Sequence, residues 1–396
     1  MSANPDRAAR HPVLWTGLAG FAFLAVMLGT TLPTPLYPAL EQRFGFGELT
    51  TTIVFAVYPL GVTAALLACG HWSDLIGRRP MLVAGLLTSA LSAALFLVPG
   101  SMAWVYAGRL VSGFSAGIFT GTATAAMGDL AVGASGALVA AAVNMGGLGL
   151  GPLVAGVLAE WAPHPLRLPF LVDLVLVALA LVGVLVLPET VSRSSEVRLR
   201  PQRIHVPAEM RQVFARAAIG GFAGFAVLGL VTAVSPAFLG QVLHRHSPAL
   251  VGAVACSVFA ASIVGQVVSM RLPAGQGQSI GCALLIIGML VLAPSLVAAS
   301  LPLLIAGALI AGIGQGMSFR AGLASIGEAS PPDQRGAISS AFFVALYVGI
   351  SLPVVGFGLL STATGLVPAG LVFTAMVGVL AAVVLVLLVR SGRRTG

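Results

Sequence analysis

Twelve apolar runs of membrane length divide this chain, and they constrain its fold more than any other feature. A helix that crosses a bilayer needs about 20 mostly apolar residues. Runs of that kind lie at 13–37, 48–69, 80–99, 102–126, 135–158, 166–187, 215–239, 249–270, 279–298, 302–324, 336–360 and 366–390. Only 8% of the 396 residues are charged and 58% are hydrophobic, whereas soluble domains carry about 25% charged residues. No soluble core hides that much apolar surface, so lipid is the solvent for most of the chain. The expected fold class is an all-α membrane protein of 12 transmembrane helices.

The few charges then set orientation and domain organisation. All 20 basic residues are arginine, a compositional hint of a GC-rich bacterial genome. Their net charge of +8 forms no patch and points to no nucleic acid. Fifteen arginines fall on one side of the expected membrane, and three (Arg43, Arg167, Arg245) on the other; Arg109 and Arg320 lie inside runs. The positive-inside rule places both termini and the 70–80 loop in the cytoplasm, which for a bacterium means the inner membrane. The first run is too long for a signal-peptide core, so a retained helix is expected. Most connections are short. The exception, 188–214, is rich in arginine and separates domains at 1–187 and 215–396. An internal repeat supports the halving: Gly108, Gly113 and Gly117 align with Gly307, Gly312 and Gly316, and Gly149 and Gly156 with Gly349 and Gly356. Two parallel six-helix repeats are expected, with substrate binding near the midplane. The three cysteines, Cys69, Cys256 and Cys282, lie in or at the ends of apolar runs and read as small apolar fillers.

The densest charge is in Gly70–Pro80, GHWSDLIGRRP. Gly70 permits a close helix approach. Gly77 permits a turn with positive φ, and Asp74 can cap a helix N-terminus. The pattern Gly70, Asp74, Gly77, Arg78, Arg79 resembles the cytoplasmic signature of the major facilitator superfamily, with Leu75 departing from it. The resemblance implies a latch: Asp74 facing the start of the eleventh helix near Gly336, and Arg78 paired with Asp129, the available acid at the inner end of the fourth helix.

Two more patterns follow. Arg109, with Gly113 and Gly117, resembles the family's fourth-helix arginine motif. A buried arginine faces a cavity or a partner, and Asp173 lies at similar depth in the sixth run. The two read either as a charge pair for proton coupling or as static structure. In the fifth run, Gly147, Gly151 and Ala155 recur every four residues, beside Pro152 and Gly156. One face is thus stripped of side chains, which favours tight helix packing, and Pro152 removes a hydrogen bond. This resembles the superfamily's antiporter motif, with Ala155 in place of one glycine. The first run ends in three closely spaced prolines, Pro33, Pro35 and Pro38.

The resemblance implies a cavity lined mainly by helices 1, 4, 7 and 10. Candidate lining residues are Phe21, Tyr58, Phe114, Phe119, Asn144, Phe225, Gln315 and Tyr347, whose aromatic and amide groups suit a lipophilic ligand. The expected function is a proton-coupled exporter of lipophilic drugs or small molecules, working by alternating access as a monomer. The alternative is a transporter of a metabolite (sugar, amino acid or organic acid). An enzyme is not expected, because no HExxH or nucleophile–base spacing occurs, nor is a primary pump, because no phosphate-loop motif occurs. No cofactor and no metal site are expected.

Overall fold

The computed structural model describes residues 11–98, 100–131, 135–191, 206–331 and 334–392. Part of the expected linker, 192–205, and the two chain ends lie outside the described residues. Among the described residues, twelve helices are long and apolar enough to cross a membrane. We label them α1 (Pro12–Thr31), α2 (Glu48–Cys69), α3 (Arg78–Leu97), α4 (Met102–Leu130), α5 (Ser135–Trp161), α6 (Leu168–Val186), α7 (Arg211–Ala237), α8 (Pro248–Ser269), α9 (Ala274–Val297), α10 (Leu301–Ala329), α11 (Arg335–Thr364) and α12 (Leu366–Gly392).

Prolines mark several helix starts, where the missing N–H has no partner to lose. Pro12, Pro169, Pro248 and Pro302 sit in first turns. Ser247 completes the start of α8, its Oγ accepting from the Leu250 N–H at 3.1 Å. Prolines inside helices act differently. The proline-rich end of the first run does not stop the helical path. A 3-10 turn at Thr34–Leu36 leads into a short helix, Tyr37–Phe44. Each proline costs one intrahelical bond, and the chain tightens and restarts. Pro236 lies near the end of α7, which passes into a π turn at Phe238–Val242.

The helices gather into two compact units. The first holds Met1–Leu36 and Val57–Arg203, the second Tyr37–Ala56 and Ile204–Gly396. The short helix and the start of α2 therefore sort with the second unit. A reason is visible at Gly358 of α11, whose position leaves room only for Thr52; a Cβ there would lie 3.0 Å from the Thr52 Cβ.

Inside the first unit, α1 packs on α4, α5 and α6, and α3 packs on α4 and α6. Inside the second, α7 packs on α10, α11 and α12, and α9 packs on α10 and α12. The pairings repeat with an offset of six helices. The aligned glycines show why. Gly113 and Gly117 bring α4 onto the α2 backbone at Tyr58 and Val62; Gly312 and Gly316 bring α10 onto α8 at Val258 and Ser262. At Gly117 a Cβ would lie 2.7 Å from the Val62 carbonyl, and at Gly312 2.6 Å from that of Val258. Any side chain at these positions would push the helices apart.

Candidate functional site

The charged loop is built around the N-terminus of α3. Gly70 ends α2, a single helical turn spans Trp72–Ile76, and Gly77 takes φ +108° before α3 begins at Arg78. An L side chain is strained at that φ. The space is closed as well, because a Cβ at Gly77 would lie 2.5 Å from Glu189 Oε2. Glu189 Oε1 accepts from the Arg78 N–H at 2.8 Å, and Oε2 accepts from the Arg79 N–H at 3.2 Å. The carboxylate that caps α3 therefore comes from just beyond α6, and not from Asp74. It satisfies two otherwise unpaired donors at the positive end of the helix dipole.

Arg78 gathers the remaining acids. Its Nη1 lies 2.5 Å from Asp74 Oδ1 and donates to Ser73 Oγ at 2.7 Å, while Nε lies 3.2 Å from Asp129 Oδ2. Thr190 Oγ1 donates to the same Asp129 oxygen at 2.9 Å. One guanidinium thus ties the loop to the C-terminal end of α4, and Glu189–Thr190 tie both to the end of α6. Asp74 and Asp129 remain partly open to solvent, with side-chain exposures of 59% and 37%. Glu189, Thr190 and Ser73 were not singled out from the sequence.

Deeper in the first unit, Arg109 of α4 is buried. Its Nη1 donates to the Thr30 carbonyl at 2.5 Å, and its guanidinium lies 4.9 Å from the Tyr58 ring centroid. A backbone carbonyl and an aromatic face both favour the cation. Asp173 of α6 is also buried, and its Oδ1 accepts no hydrogen bond from any described residue. It sits against Gly29 of α1, where a Cβ would lie 2.6 and 2.8 Å from its two oxygens. The two meet consecutive residues of α1, Arg109 at Thr30 and Asp173 at Gly29.

The stripped face of α5 lies against α1. A Cβ at Gly147 would meet Met27 Cβ at 2.6 Å and the Leu24 carbonyl at 2.7 Å. Gly151 abuts the Leu28 carbonyl and Thr31 Oγ1. Thr31 Oγ1 donates to the Leu148 carbonyl at 2.9 Å, pinning the crossing. Ala155 joins Leu28, Leu32, Leu36 and Phe170 in one apolar cluster. Pro152 and Gly156 are buried in the same helix.

The cavity candidates separate into two kinds. Phe21 lines an open cleft of ≈ 1010 Å³ between the starts of α1 and α5, which includes solvent space. Asn144, beside cleft residue Val143, has a buried Oδ1 with no partner among the described residues. Phe119, by contrast, is wholly buried, 6.2 Å from the Phe23 ring and tight against Gly85. Phe114 packs on the cluster of Ala65, Cys69, Met81 and Ile118. These two are interhelical packing.

In the second unit Phe225 of α7 lies 5.6 Å from Phe319 of α10 and 6.3 Å from Tyr347 of α11, centroid to centroid. Phe319 in turn contacts Phe342 and Phe343 of α11. Gln315 is one helical turn before Phe319 and packs on Gly224. It is 1% exposed, and neither its Nε2 nor its Oε1 has a hydrogen-bond partner among the described residues. A buried amide with neither end satisfied costs free energy. Phe319, Phe342 and Phe343 were not singled out from the sequence. The i, i+4 spacing of Gln315 and Phe319 was the signal that could have found the first of them.

Twelve spanning helices in two pseudo-repeats, a charged turn at a helix start and buried polar groups within the bundles define a multi-pass membrane transporter. The sequence matches the profile of the Major Facilitator Superfamily over residues 19–352, and the chain belongs to that family. It is 35% identical over 92 residues to the class E tetracycline resistance protein of Escherichia coli, a stretch that is 22% of each chain. It is 27% identical over 155 residues to the class D tetracycline resistance protein of Salmonella ordonez, 38% of each chain. The chain thus matches well under half the length of these curated relatives. Among solved structures it is similar to the human organic anion transporter MFSD10 (TETRAN), with TM-score 0.73 and 18% identity over 95% of this chain and 99% of that one. It is also similar to an inward-facing bacterial homologue of the human lysosomal transporter Spinster, with TM-score 0.65 and 16% identity over 96% and 95%. These likenesses establish the fold.

Proposed function

We propose that this transporter is a proton-coupled exporter of lipophilic small molecules, working by alternating access as a monomer in a bacterial inner membrane with both termini cytoplasmic. The observation that carries the export reading is the α1–α5 crossing. Gly147 and Gly151 leave α5 smooth against the α1 backbone, so the two helices can shift without unlocking interdigitated side chains. That face resembles the antiporter motif, and the similar stretches of two tetracycline resistance proteins support a drug as the substrate.

The remaining residues take roles consistent with this reading. Asp74, Arg78, Asp129 and Glu189 form a latch that holds one conformation and opens in another, with Gly70, Gly77 and Arg79 shaping the turn. Asp173 takes up and releases the coupling proton, and Arg109 biases it through α1. Gln315, Phe225, Phe319 and Tyr347 contact the substrate, which supplies hydrogen bonds to the buried amide. Such a site pairs aromatic surface with one orienting polar group, as ligand sites do.

The test is a susceptibility panel on cells overexpressing the protein, with lipophilic drugs and metabolites as separate arms. Export predicts raised tolerance to at least one lipophilic compound, lost in Asp74→Asn. Unchanged tolerance to every drug, with altered use of a metabolite, would replace export by the metabolite reading.

A further inference from the structure

The end of α1 that Asp173 touches is short of backbone donors. In a regular helix the carbonyl of residue 29 accepts from the N–H of residue 33, and that of residue 31 from residue 35. In this chain those positions are Pro33 and Pro35, which carry no N–H. α1 ends at Thr31, and in the 3-10 turn that follows Leu36 donates to the Pro33 carbonyl. The carbonyls of Gly29 and Thr31 therefore lose their helical partners inside a membrane-length segment. The Thr30 carbonyl between them is held by Arg109 Nη1.

Asp173 meets this end at Gly29. A Cβ there would lie 2.6 and 2.8 Å from its two oxygens, so only glycine admits the carboxyl group to the backbone. Asp173 is 3% exposed, and its Oδ1 has no hydrogen-bond partner among the described residues. The other elements packed on α6 bring carbon to this face. Phe96 of α3 stacks on Phe170 at 4.6 Å, and Val154 and Ala155 of α5 pack in the same cluster. The charged group beside Gly29 is Arg109 of α4, one residue further along α1.

Resting on the reading of Asp173 as the proton carrier, we infer that the Gly29 carbonyl, freed by Pro33, accepts a hydrogen bond from the protonated Asp173 carboxyl and so positions the carried proton. An ionised carboxylate offers acceptors alone and cannot bond to a carbonyl oxygen, whereas a protonated one offers an O–H donor. A carbonyl without a donor and a buried acid without a partner each cost free energy. One proton relieves both. Its loss breaks the bond, sets two acceptors against each other and loosens α6 from the end of α1. Pro33 thus does more than end a helix, because it keeps the Gly29 carbonyl available to the acid.

The test is infrared titration of the full-length protein in lipid nanodiscs, which needs no substrate. The carbonyl stretch of the protonated Asp173 carboxyl is the band lost in Asp173→Asn, and its midpoint is followed with pH. Pro33→Ala restores the N–H that claims the Gly29 carbonyl. The midpoint should then fall by about one pH unit, an about tenfold loss of proton affinity, as expected for one hydrogen bond to the neutral form. Pro35→Ala restores the N–H opposite Thr31, whose hydroxyl is turned to α5, and should leave the midpoint in place. If Pro33→Ala fails to fold, Gly29→Ala, whose methyl group displaces the carboxyl group, should lower the midpoint in the same direction. An unchanged midpoint in Pro33→Ala, or equal shifts in the two proline variants, would overturn the role of Gly29 while leaving Asp173 as the carrier. A band that is absent, or that never changes with pH, would overturn both.

Discussion

Removing the Glu189 carboxylate is the sharpest perturbation the structure offers. Its two oxygens hold the first two N–H groups of α3 at 2.8 and 3.2 Å, and the residue is 9% exposed. Losing an N-terminal cap costs about 0.5–2 kcal/mol, and losing a negative charge at the helix dipole about 0.3–1 kcal/mol more. Glu189→Ala should therefore weaken the loop assembly by roughly 1–3 kcal/mol. Glu189→Gln keeps one of the two acceptors, so it should lose the charge, about 0.3–1 kcal/mol, together with one of the two cap bonds, about 0.5–1.5 kcal/mol. If the assembly is whole in one transport state and broken in another, the alanine loss shifts their ratio about 5- to 150-fold. The assay is substrate flux in proteoliposomes beside thermal unfolding followed by tryptophan fluorescence, Trp72 being in the adjoining turn. The expected order of flux is Glu, then Gln, then Ala, with the unfolding midpoint falling in the same order. Alanine at full flux with an unchanged midpoint would refute the reasoning. So would glutamine more damaging than alanine, because charge and hydrogen bonding would then not be what Glu189 supplies.

Further outcomes follow from the same geometry. Arg78→Ala, which breaks the links to Asp74 and Asp129, should lower flux while leaving expression intact, as should Asp74→Asn; quantitative blots beside flux check both. Gly151→Leu forces a side chain into the Leu28 carbonyl and Thr31 Oγ1, and should abolish flux or folding, whereas Gly151→Ala should retain part of each, read by size-exclusion profile and flux. Gln315→Leu should raise the substrate concentration needed for half-maximal flux while leaving the unfolding midpoint no lower, and raised if anything, because it removes an unsatisfied polar group from a buried site. Asp173→Asn should leave substrate binding measurable but uncouple it from proton movement, seen as exchange of labelled substrate without a pH change.

The twelve helices were legible because a membrane span leaves a run of fixed length and little charge. Their ends were less so. The three prolines at 33–38 mark where the regular first helix gives out, after Thr31, but not that helical structure resumes at Tyr37. That Tyr37–Ala56 sorts with the second unit was invisible to hydropathy, which reports length and not neighbours. The Gly147–Gly151 face was legible as close packing, but the sequence did not name α1 as its partner. Counting residues puts Arg109 and Asp173 at similar depth. Depth does not fix the rotation of a helix, however, and that both side chains meet neighbouring residues of α1 is supplied by the fold. Glu189 stood no chance of being read from local pattern, since it lies 111 residues from the N–H it caps. Gln315 is a cavity candidate through the family resemblance, and its aromatic surroundings come from helices that only the fold brings together.

Luminal pH in inverted membrane vesicles reads proton-coupled export without an intermediate step. With the lumen first acidified, adding a transported lipophilic compound should alkalinise it, as protons leave in exchange for substrate, and Asp173→Asn vesicles should show no such change. Substrate accumulating in the lumen with no pH response, or a response that survives Asp173→Asn unchanged, would contradict proton-coupled export through Asp173.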